Sequence, residues 1–154
     1  MLLTLCLLRH GRAAGQAPEA ELSPEGEAHI RALGRRLAAE RFVPEAAFTS
    51  PYLRAQRTAR TLLTVLGSTL EPRILPELVP DADPGVALRA LFGLGLPLAR
   101  VLVVSHQPLL GRMATALTAH DPGFSAGTLV EIEVAEGDDS GTFVRRLGPE
   151  DLAC

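Results

Sequence analysis

The chain has 154 residues, which is about the length of one domain, and its 47% of apolar residues suffices for a buried core. Its net charge of −3 argues against the strongly basic surface of a nucleic-acid-binding protein. All 15 basic residues are arginine, which excludes Walker-A and Schiff-base lysines, and the absence of asparagine excludes N-glycosylation. We predict a single domain over residues 1–154 with no nucleic-acid partner.

The two cysteines indicate in which cellular compartment the protein is expected. Cys6 lies in an apolar run and Cys154 is the last residue, so a disulfide framework is not expected, as is typical of a reducing cytoplasm. Residues 1–8 lack the basic start of a signal peptide and are too few to span a bilayer. We therefore expect a cytoplasmic protein without membrane contact. We also expect it to be a monomer.

A strand followed by a helix opens the chain. The continuous apolar run Leu2–Leu8 predicts a strand that is buried on both faces. Ser23 followed by proline is typical of a helix N-terminus. The helix that follows places Ile30, Leu33 and Leu37 on one face.

The middle of the chain repeats this pattern. Ala46–Thr49 predicts a short strand, and Ser50-Pro51 is a second helix-start signal. That helix ends near Gly67 and buries a stripe formed by Ala55, Ala59, Leu62, Leu63 and Leu66. A strand at Arg73–Leu75 follows it.

The last part of the chain adds two helices and three strands. A helix at Pro84–Phe92, a buried strand at Arg100–Val104 and a helix at Leu109–Leu117 continue the alternation. The final two strands form an antiparallel hairpin, at Gly127–Val134 and Thr142–Leu147 around residues 136–139. The alternation predicts a three-layer α/β/α fold with a mostly parallel central sheet.

Two histidines directly follow predicted strands. His10 follows the first strand and His106 the fourth, and ligands of open α/β sheets bind beyond the carboxyl ends of the strands. Arg54, in the first turn of a helix that follows a strand, points toward the same edge. The alternative is that the histidines form only local hydrogen bonds and that Arg54 is solvated.

Arg9, Arg54 and the two histidines would together form an anion site. A dianionic phosphoryl group is the natural ligand, because guanidinium groups match its oxygens in bidentate fashion. We expect the nearby cations to lower the pKa of His10 and leave a neutral, nucleophilic nitrogen at pH 7.

Three motifs carry a resemblance to a known family. They are Arg9-His10-Gly11, residues 50–55 with Thr58-Ala59, and Ser105-His106. With them the chain resembles the histidine phosphatase superfamily, which shares its fold with the phosphoglycerate mutases, and especially the short SixA-type phosphohistidine phosphatases. The resemblance covers residues 2–147 and implies a phosphoglycerate mutase-like fold with minimal cap insertions.

The resemblance also implies roles for the site residues. His10 would attack phosphorus and be transiently phosphorylated, Arg9 and Arg54 would bind the phosphoryl oxygens, and His106 would supply a further donor. Neither a metal nor another cofactor is implied. The substrate would be a phosphohistidine-carrying protein, such as a phosphotransfer domain of a signalling relay or a carrier protein of a phosphotransferase system.

The general acid stays open. Glu77 aligns with the Leu-x-Glu that supplies the acid in larger members of the superfamily, but the segment that usually follows is missing. Asp81 and Asp83 are alternatives. A phosphoramidate leaving group reduces the need for an acid, since a protonated imidazole leaves more readily than an alkoxide.

One phosphate-binding arginine of the short branch is missing. Ala20 stands where that branch often carries it, and position 12 is arginine where an acidic residue is common. We hypothesise that Arg12 partly replaces the missing cation. Arg57 could contribute similarly, although a surface role fits a helical arginine better.

Other functions use the same residues. A small-molecule phosphomonoesterase would share the site, a phosphate or phosphoprotein-binding module would need no catalysis, and a metal-dependent hydrolase could use His10, His106 and Asp81. The short segment between Glu77 and Arg100 leaves room for one helix only, which predicts an open site. An open site favours phosphohistidine on a protein surface.

Overall fold

A computed structural model describes residues 2–97, 99–135 and 140–152. Its strands, in chain order, are β1 (Leu2–Arg9), β2 (Ala46–Thr49), β3 (Arg73–Ile74), β4 (Arg100–Ser105), β5 (Leu129–Ala135) and β6 (Gly141–Leu147). They form one sheet in the spatial order β3-β2-β4-β1-β5-β6. The first four strands are parallel, whereas β5 and β6 are antiparallel to their neighbours, as the sequence predicts.

Helices cover both faces of this sheet. They are α1 (Pro24–Ala39), α2 (Leu53–Val65), α3 (Pro84–Phe92) and α4 (Leu109–Thr118). Alternate residues of β1 face two separate cores: Leu8 packs with Ile30 of α1 and Leu62 of α2, whereas Leu7 packs with Leu91 of α3 and Met113 of α4. The three-layer α/β/α fold is thereby confirmed.

The turn after β1 rests on the first turn of α1. The Ser23 hydroxyl accepts a hydrogen bond from the Gly26 N–H at 3.0 Å and so caps the helix. A Cβ atom at Gly26 would lie 2.1 Å from the carbonyl oxygen of Arg12, so only glycine allows this approach. The contact fixes the start of the loop that follows His10.

Several helices and strands begin or end at residues other than those predicted from the sequence. Helix α2 begins at Leu53 with Tyr52 as its N-cap, so the prediction that Ser50-Pro51 starts it is wrong. Strand β3 ends at Ile74 and β5 begins at Leu129. The predicted turn at residues 136–139 and Cys154 lie outside the described residues. Cys6 is buried, as predicted, and burial raises the pKa of its thiol.

The segment between β3 and β4 is short. It contains a 3₁₀ turn at Pro76–Leu78 and helix α3, as expected for a chain without a large cap. Within the described ranges, none of the helices is both long and apolar enough to cross a bilayer.

Candidate active site

Strand register brings the two predicted histidines together. β1 and β4 are parallel neighbours in which Arg9 pairs with Ser105, so His10 and His106 are the next residues of adjacent strands. The N–H of His10 donates to the carbonyl of Ser105 at 3.1 Å. The ring centroids of the histidines lie 4.9 Å apart, so both side chains occupy one edge of the sheet.

A cleft of about 670 Å³ opens at this edge. Its walls are formed by Arg9, His10, Arg12, Ala13, Gly15, Gln16, Tyr52, Arg54, Pro80, His106, Gln107, Ser125 and Ala126. Three of these side chains are guanidinium groups, and none of the described lining residues is a carboxylate. The cleft is therefore suited to an anion.

The hydrogen bonds of His10 define its protonation. Nδ1 lies 2.7 Å from the carbonyl oxygen of Gly11, which can only accept, so the neutral ring carries its proton on Nδ1. The peptide of Gly11 is held in turn, because its N–H donates to the Thr58 hydroxyl at 3.0 Å. Nε2 of His10 therefore carries the lone pair of the neutral ring.

Burial keeps His10 neutral. Burial is the main reason that the pKa of His10 falls to about 4; the hydrogen bond to Gly11 opposes this shift, and the charges of Arg54 and Arg9 add to it. The expected direction of the pKa shift is confirmed, but its main cause is desolvation rather than the neighbouring cations. At neutral pH the ring is an unprotonated base.

Arg54 links His10 to the loop that follows β1. Arg54 is 9% exposed, and its Nε donates toward Nε2 of His10 across 3.4 Å. Nη1 donates to the carbonyl of Ala17 at 2.9 Å, which anchors the loop after β1. Nη2 donates no hydrogen bond within the described part of the chain, so its two N–H groups can bind an oxyanion.

Arg9 is the second cation of the cleft. Nη1 donates to the carbonyl of Phe124 at 2.7 Å, while Nε is buried without a partner in the described structure. Burial and the charge of Arg54 both lower the pKa of Arg9. The two guanidinium groups repel each other, and an anion between them would relieve that repulsion.

Two further residues frame His106, and neither was predicted from the sequence to be a site residue. The hydroxyl of Ser50 lies 2.6 Å from Nε2 of His106, and the Tyr52 ring packs edge-on against the imidazole at 4.6 Å. Arg54 stacks on Tyr52 at 4.8 Å. Burial, followed by interactions with His10, Arg54 and Arg9, lowers the pKa of His106 to about 3, so it is neutral as well.

The remaining candidates lie farther out. Arg12 lines the cleft but is 64% exposed and pairs with Glu25 at 3.3 Å. Arg57 is an exposed partner of Glu21.

The candidate acids do not line the cleft. Oε1 of Glu77 is buried without a hydrogen-bond partner in the described structure, but Glu77 is not a wall residue. Asp81 is exposed, and Asp83 caps α3 by accepting from the Val86 N–H. The structure brings together His10, His106, Arg9, Arg54 and Arg12 and leaves the three carboxylates outside.

Comparison with known proteins identifies the family. The phosphohistidine phosphatase SixA of Escherichia coli (strain K12) is 30% identical to the chain, and the alignment covers 95% of this chain and 94% of that protein. The chain belongs to the histidine phosphatase superfamily. The family model "Histidine phosphatase superfamily (branch 1)" matches residues 5–79, which include Arg9, His10 and Arg54.

Several solved structures share the fold. The protein histidine phosphatase SixA complexed with tungstate superimposes with a TM-score of 0.87 at 29% identity, covering 97% of this chain and 99% of that one. A phosphoglycerate mutase from Bacillus anthracis gives 0.77 at 16% identity, with coverage of 98% and 95%. The phosphoglycerate mutase-like fold is thus confirmed, and as a SixA homologue this superfamily member is a hydrolase.

Proposed function

We propose that the chain hydrolyses phosphohistidine on protein substrates through a covalent intermediate on His10, without a metal ion. The observation that carries this proposal is the unprotonated Nε2 of a neutral His10 in a cleft walled by arginines. The described residues also contain no group of three or more histidine, cysteine or acidic side chains placed to hold a metal ion.

In the first step, Nε2 of His10 attacks phosphorus as the phosphorus–nitrogen bond of the substrate breaks. The bonding electrons leave with the substrate imidazole, which departs neutral when its other nitrogen is protonated. The His10 ring acquires positive charge, and the Gly11 carbonyl stabilises the remaining Nδ1–H. Nη2 of Arg54 and Nε of Arg9 bind the equatorial phosphoryl oxygens, where charge develops.

In the second step, water attacks the phosphoryl group on His10. The bond between phosphorus and Nε2 breaks, its electrons return to Nε2, and inorganic phosphate leaves. The neutral Nδ1–H form of His10 is restored, because Gly11 accepts the same hydrogen bond throughout. The covalent intermediate divides one difficult displacement into two in-line steps.

The composition of the cleft walls favours phosphohistidine over an alkyl phosphate. An alkoxide leaving group needs a general acid, which contributes about 10²–10⁴-fold to rate, and the described wall residues include no carboxylate. A phosphohistidine brings a leaving group that is itself readily protonated. The exposed rim at Arg12, Gly15 and Gln16 leaves room for the protein that carries it.

A turnover assay tests the proposal. kcat/KM is measured on a phosphohistidine-carrying phosphotransfer domain and on a small alkyl phosphomonoester, with and without a chelator. We expect preference for the phosphoprotein, no effect of chelation, and loss of activity in His10→Ala but not in His120→Ala, which changes an exposed histidine outside the cleft. A higher kcat/KM for the ester would favour a small-molecule phosphomonoesterase instead.

A further inference from the structure

We infer that Ser50 is a positioning residue that holds His106 in its Nδ1–H tautomer, so that His106 presents a neutral N–H donor to the phosphoryl group. This inference rests on the function proposed above. It assigns a task to a serine that the sequence suggests is only a helix cap.

Ser50 is rigidly placed beside His106. It is fully buried, and its backbone N–H donates to the carbonyl of Val104 at 3.1 Å, which ties the residue to the end of β4. Its hydroxyl lies 2.6 Å from Nε2 of His106. Because His106 is 1% exposed, solvent does not compete for this contact.

The direction of the hydrogen bond follows from the count of protons. The N–H of Tyr52 donates to the Ser50 hydroxyl oxygen at 3.1 Å, and the hydroxyl has one proton to give. If Ser50 donates that proton to Nε2, only the Nδ1–H of His106 lacks a partner. In the reverse arrangement, Nε2–H of His106 donates to the Ser50 hydroxyl oxygen. The hydroxyl proton of Ser50 and the Nδ1 lone pair of His106 would then both lack a hydrogen-bond partner. Buried polar groups are rarely unpaired, so the first arrangement is favoured.

The unpaired Nδ1–H of His106 is a donor of the kind that a phosphoryl ligand needs. Nδ1 of His106 is buried without a partner in the described structure, and the ring forms part of the cleft wall. An Nδ1–H attracts a phosphoryl oxygen, whereas a lone pair would repel it. Both histidines thus carry their proton on Nδ1, but His10 offers the cleft a lone pair and His106 a donor.

The tautomer can be read directly by long-range ¹H–¹⁵N NMR of the imidazole side chains at neutral pH. In the wild-type protein we expect a protonated Nδ1 and an unprotonated, hydrogen-bonded Nε2 on His106. A protonated Nε2 in the wild-type protein would overturn the inference without reference to any variant.

Two matched variants test whether the Ser50 hydroxyl controls the His106 tautomer and oxyanion binding. Ser50→Ala should shift His106 toward the Nε2–H tautomer, weaken vanadate binding at least tenfold and lower kcat/KM about 10²-fold, the scale for loss of one oriented donor. Ser105→Ala removes an equally buried hydroxyl that donates to the Leu78 carbonyl instead, and should leave the His106 tautomer unchanged.

The readouts separate this inference from the proposed function. Tautomer and vanadate affinity require no turnover, so they stand even if the preferred substrate is a small phosphate ester. An unchanged tautomer and unchanged vanadate affinity in Ser50→Ala would contradict the role of Ser50 and leave the phosphatase proposal intact.

Discussion

Nδ1 of His10 donates to the carbonyl oxygen of Gly11 across 2.7 Å, and this contact selects the nitrogen that can react. Because a carbonyl cannot donate, the proton of the neutral ring is confined to Nδ1 and the lone pair to Nε2. The account of the site depends on this asymmetry, and so do the predictions below.

The protonation of His10 should be unusual. Burial lowers the pKa of His10 to about 4, so the ring stays unprotonated from neutral pH down to that value and loses its nucleophilic lone pair only below it. We expect an NMR titration of the free protein to show His10 titrating near pH 4. A His10 pKa near 6.5 would contradict the burial argument.

Arg54 and Arg57 lie three residues apart on α2 but should differ in effect. Arg54 is buried beside His10, and we expect Arg54→Ala to lower kcat/KM about 10²–10³-fold. Arg57 is exposed and pairs with Glu21 at the surface, so Arg57→Ala should change kcat/KM less than about twofold. Equal losses in the two variants would mean that the cleft is not the site.

Glu77 should not act as the general acid toward phosphohistidine, since it is not part of the cleft wall. We expect Glu77→Gln to alter kcat/KM on a phosphohistidine protein by less than about threefold, as in the exposed control Glu71→Gln. A loss of about 10²-fold in Glu77→Gln alone, with loss of the alkaline limb of the pH profile, would identify Glu77 as the acid.

Substitution of Arg12 tests whether this cation at the rim of the cleft partly replaces the arginine that is missing at position 20. Arg12 lines the cleft, and we expect Arg12→Ala to raise the inhibition constant of vanadate about threefold, on the scale of an exposed charge. Glu25→Gln, which removes the salt-bridge partner of Arg12, should lower that constant. Unchanged inhibition in Arg12→Ala, as in the control Arg31→Ala outside the cleft, would discard the compensation hypothesis.

The sequence predicted the placement of the site well, because that placement follows from local rules. Apolar runs mark the parallel strands, and the carboxyl ends of adjacent parallel strands meet at one edge, so His10 and His106 could be placed together. Arg54 followed from a helix that begins directly after a strand. The three-layer architecture followed from the alternation of elements.

The parts that were missed depend on long-range contacts. Ser50 before a proline has the pattern of a helix cap, yet its hydroxyl meets a histidine 56 positions away, which no local rule reveals. The main cause of the His10 pKa shift is burial, which becomes visible only after the chain has folded. The motif at Glu77 left the general acid open, and its place outside the cleft wall depends on the path of the chain after β3.

Identification of the phosphorylated atom tests the central claim most directly. The protein is mixed with a phosphohistidine donor protein, quenched in base, which preserves phosphohistidine, and studied by ³¹P and ¹⁵N NMR beside His10→Ala. We predict a phosphoryl group on Nε2 of His10, absent from the variant. A phosphoryl group on Nδ1 or on another residue, or undiminished turnover by His10→Ala, would contradict the account.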